Sequence, residues 1–222
     1  MNMVHNIKVQ KRPRGRPQIR PDEETRRHII DAARGEFHDS GYAGASMGRV
    51  AQRAGVSTKT MYRLIPTKAD LFRGIISERI SRFILEIDNE ALDNMPIEQA
   101  IEHILLAYGD LTLEEEVVST LRLVFAECGR FPEIATAFFE LAIRRTGTQL
   151  ENWLARQCKR GRIALDDPAL AAGMLRGMMI LEPQRAFMLG QQPRLTREEI
   201  AARARQCARL FLDGCRPKAA GL

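Results

Sequence analysis

Aromatic residues are scarce, only 6% of the 222-residue chain with a single tryptophan, which argues against a β-sandwich, whose strands favour such side chains. Cysteines are few and unpaired in pattern. Cys128, Cys158, Cys207 and Cys215 form no Cys-x-x-Cys and have no histidine at metal-ligand spacing. They fit small apolar packing groups in a reducing compartment, with a redox sensor as the alternative. No apolar run approaches the ~18–20 residues of a membrane span, and no hydrophobic stretch follows the basic N-terminal residues, so neither a membrane anchor nor a secretory signal is expected. The expectation is a soluble protein of the cytoplasm. Walker and dinucleotide fingerprints are missing. The run Glu114-Glu115-Glu116 and nearby His103 invite a metal site. Three consecutive carboxylates, however, point in different directions around a helix, and the Glu-x-x-His of helical di-metal sites does not occur. No catalytic residue, no metal and no cofactor are expected.

What is present is charge unevenly placed. The net charge is +6, yet residues 1–63 hold 13 Lys/Arg against 6 Asp/Glu, while the rest is close to neutral. Basicity confined to one end points to a nucleic-acid-binding part joined to a neutral second domain. Apolar content of 45% supports a sizeable core, and the length allows two compact units.

The pattern is helical throughout, with no strand periodicity and no internal repeat. Residues 1–21 read as a basic arm unable to bury enough surface to fold alone. A helix is expected to start with Asp22 as N-cap and Glu23 and Glu24 opposing its dipole. Ile29, Ile30, Ala33 and Phe37 form its buried stripe, and Gly41 ends it. Ser46 caps a second helix with Met47, Val50, Ala51 and Ala54 inward. Gly55 ends that helix, and Ser57 caps a short third one. Pro66 ends the third. A capping box at Thr67 and Asp70 opens the fourth, which should fray before Asp93. Further helices are expected at about 97–108, 112–129, 132–160, 167–190 and 196–215. Pro183 should kink or split the 167–190 helix.

Two short helices around a tight Gly-containing turn, about residues 45–64, form a helix-turn-helix. Its second helix carries Thr58, Lys59, Thr60, Tyr62 and Arg63, all able to reach phosphates or base edges. For Tyr62 the alternative is a lid on the small core; for Lys59 and Arg63 it is a solvated charge. Ser46 serves as an N-cap that can also touch a phosphate.

Residues 22–72 resemble the N-terminal domain of the tetracycline-repressor (TetR/AcrR) family of bacterial transcriptional regulators. The resemblance is carried by Ile30, Ala32-Ala33, Phe37, Gly41-Tyr42, Ser46-Met47, Val50-Ala51, Ala54-Gly55-Val56-Ser57, Thr60-Met61-Tyr62, Lys68 and Leu71-Phe72. Arg122-Leu-Val-Phe-Ala-Glu127 with Phe131-Pro132-Glu133 is weakly similar to one subgroup's C-terminal domain. The chain departs from the family at Leu64-Ile65, where His or Tyr followed by Phe is usual, which puts one phosphate contact in doubt. The resemblance implies Thr60 against bases, Tyr62 against the backbone, and Lys68 against a phosphate. It implies an all-α fold: a three-helix DNA-binding head over 22–82, joined by a long helix to a helical regulatory and dimerisation domain over 83–222.

The arm contains Lys11-Arg12-Pro13-Arg14-Gly15-Arg16-Pro17, which resembles an AT-hook core. Arg12, Arg14 and Arg16 suit a narrow A·T-rich minor groove, and Gly15 lets the backbone approach its floor. The alternative is a tail that meets phosphates without preference. By resemblance, the last two helices pair with a second copy, and Ala169, Leu170, Ala172, Gly173, Met174, Gly177, Met178 and Leu181 are the candidate contacts, with intramolecular core as the alternative. A ligand cavity is implied among the middle helices, with Leu106, Tyr108, Phe125, Phe138, Phe139, Trp153 and Met179 as candidates and plain core as the alternative. The expected partners are a double-stranded DNA operator, a second copy of the chain and a small hydrophobic or amphipathic effector. The expected function is a ligand-responsive repressor on a palindromic operator. The rivals are an architectural A·T-rich DNA-binding protein and a helical metal-dependent enzyme.

Overall fold

The computed structural model describes residues 21–87 and 89–215, and within them the chain is all-helical. Eleven α-helices follow in order: α1 Asp22–Gly44, α2 Met47–Arg53, α3 Thr58–Leu64, α4 Lys68–Glu86, α5 Asn89–Asn94, α6 Ile97–Thr112, α7 Glu115–Glu127, α8 Pro132–Phe138, α9 Arg145–Lys159, α10 Pro168–Met188 and α11 Arg197–Cys215. A π-helical turn, Phe139–Arg144, joins α8 to α9. The span expected as one helix over 132–160 is helical without interruption from Pro132 to Lys159, but widens through this turn. Among the described residues no helix is long and apolar enough to cross a membrane.

Caps follow the sequence closely. Ser46 Oγ accepts from the Arg49 N–H and Ser57 Oγ from the Thr60 N–H. Thr67 receives the Asp70 N–H, and Thr196 and Glu199 exchange both bonds of a capping box. The start of α1 differs. Pro21 occupies the cap position without a side-chain bond, because the Asp22 carboxylate is drawn to Arg63 instead. Gly41 interrupts α1 with φ +67°, after which one further turn reaches Gly44. A side chain would be strained there.

Pro183 does not split its helix. α10 runs unbroken from Pro168 to Met188. Proline lacks the N–H that would satisfy the Met179 carbonyl four residues back. Arg203 of α11 supplies the missing donor, with Nε 2.7 Å from Met179 O and Nη2 2.9 Å from Met178 O. The helix end is likewise met from outside: Arg122 donates to the Phe187 and Met188 carbonyls.

Two groups of buried apolar residues hold the molecule. One gathers Ile29, Phe37, Val50, Met61, Leu71, Phe72 and Ile76 of the first four helices and Ile65, just past α3, together with Val124, Ile134 and Ala137 of α7 and α8. The other joins α5, α6, α9, α10 and α11 around Trp153, Leu175, Met179, Ile200 and Ala208. The front helices therefore share their core with α7 and α8 rather than standing apart.

Candidate nucleic-acid interface

The turn after α2 is set by Gly55, whose φ of +65° suits a residue without a Cβ. Ser57 then starts α3. Met61 and Ile65 are fully buried against α1, α2 and α4, which fixes the rotation of this two-turn helix. The opposite face follows from helical spacing. Thr58, Lys59, Tyr62 and Arg63 are exposed, Tyr62 by 54%. Tyr62 is thus not a lid on the head's core. Thr60 is half-covered, and its hydroxyl sits 2.9 Å from Ser57 Oγ.

Two interactions steady α3 from α1. Arg26 donates to the Leu64 carbonyl at the helix end. Arg63 makes a fork to Asp22 at 2.6 and 2.7 Å. Both partners of that fork are about half exposed, so the pair holds Arg63 weakly and a phosphate can compete for it.

The seat of α2 is the fully buried Glu36 of α1. Its carboxylate accepts from Arg49 Nε at 2.5 Å and from the Ser46 N–H at 3.3 Å, and lies 3.4 Å from Arg53 Nε. Arg49 also reaches the Gly44 carbonyl, and Arg53 donates to Asp39 at 2.7 Å. Sequence patterning gave no sign of this role, because Glu36 sits beside the apolar stripe and reads as surface.

Lys68 sits at the start of α4, but its ammonium is engaged inward. Nζ donates to the carbonyls of Tyr42, Ala43 and Ala45 at 2.7, 3.4 and 3.3 Å and lies 4.6 Å from the Tyr42 ring centre. The same last turn of α1 is gripped from behind. Glu127 of α7 accepts from the Tyr42 and Ala43 N–H groups, both at 2.8 Å, and Tyr42 donates its hydroxyl to Glu133. Burial, followed by the charge of Glu133, raises the Tyr42 phenol well above its ordinary range. Arg12, Arg14, Gly15 and Arg16 lie outside the described residues.

A cleft of about 1280 Å³ opens between α1, α4, α6, α7 and α10. Tyr108, Phe125 and Phe138 line it; Leu106, Phe139, Trp153 and Met179 do not. Met179 and Trp153 are core, and Phe139 is 53% exposed. The cleft's floor also includes Arg176 of α10, overlooked among the sequence candidates although it is the only charge between Pro168 and Leu181. On α10, Leu170, Met174, Met178 and Leu181 form an exposed apolar stripe, with Ala169 and Gly173 also exposed and Gly177 half-covered. Ala172 departs from that set. It is buried beside Leu175 against the protein's own core, because it falls on the opposite side of the helix.

Comparison with known proteins agrees with this geometry. Residues 29–75 match the family described as bacterial regulatory proteins, tetR family, and residues 99–214 match that described as AefR-like transcriptional repressor, C-terminal domain. The HTH-type transcriptional activator FasR of Mycolicibacterium smegmatis is 27% identical over 175 residues, 70% of this chain and 76% of its own length. A tetR-family transcriptional regulator from Mesorhizobium loti superposes with a TM-score of 0.78 at 27% identity, covering 88% of this chain and 98% of the other. The flavonoid-responsive regulator FrrA gives 0.74 at 26% identity, with 89% and 100% covered.

Proposed function

Because the chain belongs to the tetR family of bacterial regulatory proteins, we propose that this DNA-binding transcriptional regulator is a ligand-responsive repressor that grips a palindromic operator as a homodimer. The observation that carries the reading is α3 itself: a helix anchored by Met61 and Ile65 that turns Thr58, Lys59, Tyr62 and Arg63 outward. A helix so presented suits a major groove, offering hydroxyl, ammonium and guanidinium groups that can reach base edges and phosphates. Thr60, half-covered beside them, would add a methyl group for contact with a base. Ser46, at the start of α2, is half-covered and spends its hydroxyl on the cap, leaving α2's N-terminus free to face a phosphate. In this reading Lys68 acts from behind, by holding the turn that leads into α2.

The exposed stripe of Leu170, Met174, Met178 and Leu181 supports α10 as the surface that pairs with a second copy, which would place two heads on two half-sites. The cleft supports a small effector, mostly apolar in contact. Residues 1–20 would add phosphate contacts or enter an adjacent minor groove, in a protein that works in the cytoplasm.

The test is a footprint followed by substitution. A protected palindrome near a promoter is the expected result. Thr60→Ala with Tyr62→Ala should weaken operator binding by roughly tenfold or more while circular dichroism and melting stay unchanged. Undiminished binding by a folded double variant defeats the proposal. Uniform coverage of A·T-rich DNA would favour an architectural role. Removing residues 1–20 should lower the log–log salt slope by several units, each lost phosphate contact contributing about 0.9.

A further inference from the structure

We propose that the effector is an amphipathic anion whose carboxylate pairs with Arg176 while its apolar body lies along α4 and α7; this rests on the reading of the cleft as a ligand site. Arg176 projects from the most apolar stretch of α10 and is half-covered. A guanidinium has five donors and needs acceptors when it leaves water. Among the described residues it makes two long bonds to carbonyls, Nε to Ala172 at 3.4 Å and Nη1 to Ile143 at 3.3 Å, and meets the Tyr108 hydroxyl, a neutral partner. Among the described residues no carboxylate lies within ion-pair distance of it.

The seat is built to hold the charge in place. The guanidinium lies flat over Gly147, where a Cβ would approach Nη2 to 2.9 Å. The Ile143 carbonyl belongs to the π-helical turn, whose widened backbone leaves that oxygen open to side chains; Thr146 also donates to it. On one side of Arg176 the cleft is lined by Phe72, Ile76, Ile80, Leu111, Leu121 and Phe138. On the other is a small chamber of about 20 Å³, whose polar lining is Tyr108, Thr146, Gln149, Trp153 and Arg176.

That chamber is rich in donors and contains no carboxylate. The Trp153 indole N–H is buried and has no acceptor among the described residues. Burial keeps the Tyr108 phenol protonated, against the pull of Arg176. A group offering two oxygens and a negative charge would satisfy the fork that Arg176 presents. A cation would not, and a neutral head would leave the guanidinium without a counter-charge.

The experiment compares three probes of equal chain length on the full-length protein without DNA: sodium dodecanoate, 1-dodecanol and dodecyltrimethylammonium. Trp153 is the chain's single tryptophan, so its emission reports on the chamber, with thermal melting as a second signal. Dodecanoate should bind roughly tenfold or more tightly than the alcohol, the size expected of a charged hydrogen bond. Arg176→Met should erase that preference while leaving alcohol binding intact, and Arg176→Lys should keep part of it and guards against a misfolded variant. Equal affinities, a preference for the cation, no binding of any probe, or a preference that survives Arg176→Met would each overturn the proposal. Operator binding is measured separately. A protein that selects dodecanoate but ignores DNA defeats the repressor reading alone; one that footprints an operator but does not select dodecanoate defeats this inference alone.

Discussion

Glu36 is the residue on which the front of the molecule turns. It is fully buried, but its two arginine partners are about half exposed, and that asymmetry decides which change costs more. Removing the carboxylate frees two guanidinium groups that can return to water, so Glu36→Ala should cost about 1–2 kcal/mol. Removing both arginines leaves a buried charge with the Ser46 N–H as its remaining partner, so Arg49→Ala with Arg53→Ala should cost more, about 3–5 kcal/mol. Urea denaturation of the two variants checks the order, and equal losses would contradict it. Gly41 is the other sensitive position. Alanine there must hold φ near +67° and bring a Cβ within 2.8 Å of Glu127 Oε1. The strain alone is worth roughly 1 kcal/mol or more, read as a lowered melting temperature.

At the level of helices, α10 and α11 are joined by a repair. Pro183 withholds a hydrogen, and Arg203 provides one. Arg203→Ala should therefore destabilise the protein by about 1–2 kcal/mol in its native background, since it orphans a buried carbonyl. Pro183→Ala restores the helix's own donor, so the same arginine substitution should then cost visibly less. A double-mutant cycle showing no coupling would sink this account. The example marks the limit of what patterning reveals. Stripes, caps and turn glycines lie close together in sequence, so α1 to α4, the exposed face of α3 and the Thr196 capping box were legible. Pro183 was misjudged because its compensating donor lies 20 positions further along the chain. The widening of the 132–160 helix at Phe139–Arg144 was hidden for a similar reason, as Arg176 on another helix helps satisfy the widened turn. Arg176 itself was visible as a lone charge in an apolar run, but only the fold shows that it has no carboxylate beside it.

For the whole molecule, the main question is how a cleft between α4, α7 and α10 speaks to α3. Glu127 sits on α7, the helix whose Thr120, Leu121, Leu123 and Phe125 line that cleft, and its carboxylate holds the backbone of Tyr42 and Ala43. That backbone leads into α2, and Lys68 ties it to α4. A ligand that shifts α7 must pull on this turn or let it go. Glu127→Gln, which gives up one of the two bonds and removes the charge from the other, should leave operator affinity within a few-fold but reduce the ligand's power to release DNA, measured by titrating the complex with effector. Leu170→Asp with Met174→Asp should yield monomers in sedimentation and lose operator affinity steeply. The stripe these two occupy shares its helix with the floor of the cleft: Gly173, Gly177 and Leu181 border both. Sensing and self-association then draw on one rod. Where pairing and effector binding are coupled through that rod, linkage makes dilution that separates the copies alter how tightly each one holds its effector, so the cell's stock of this protein would itself shift the dose at which the gene responds.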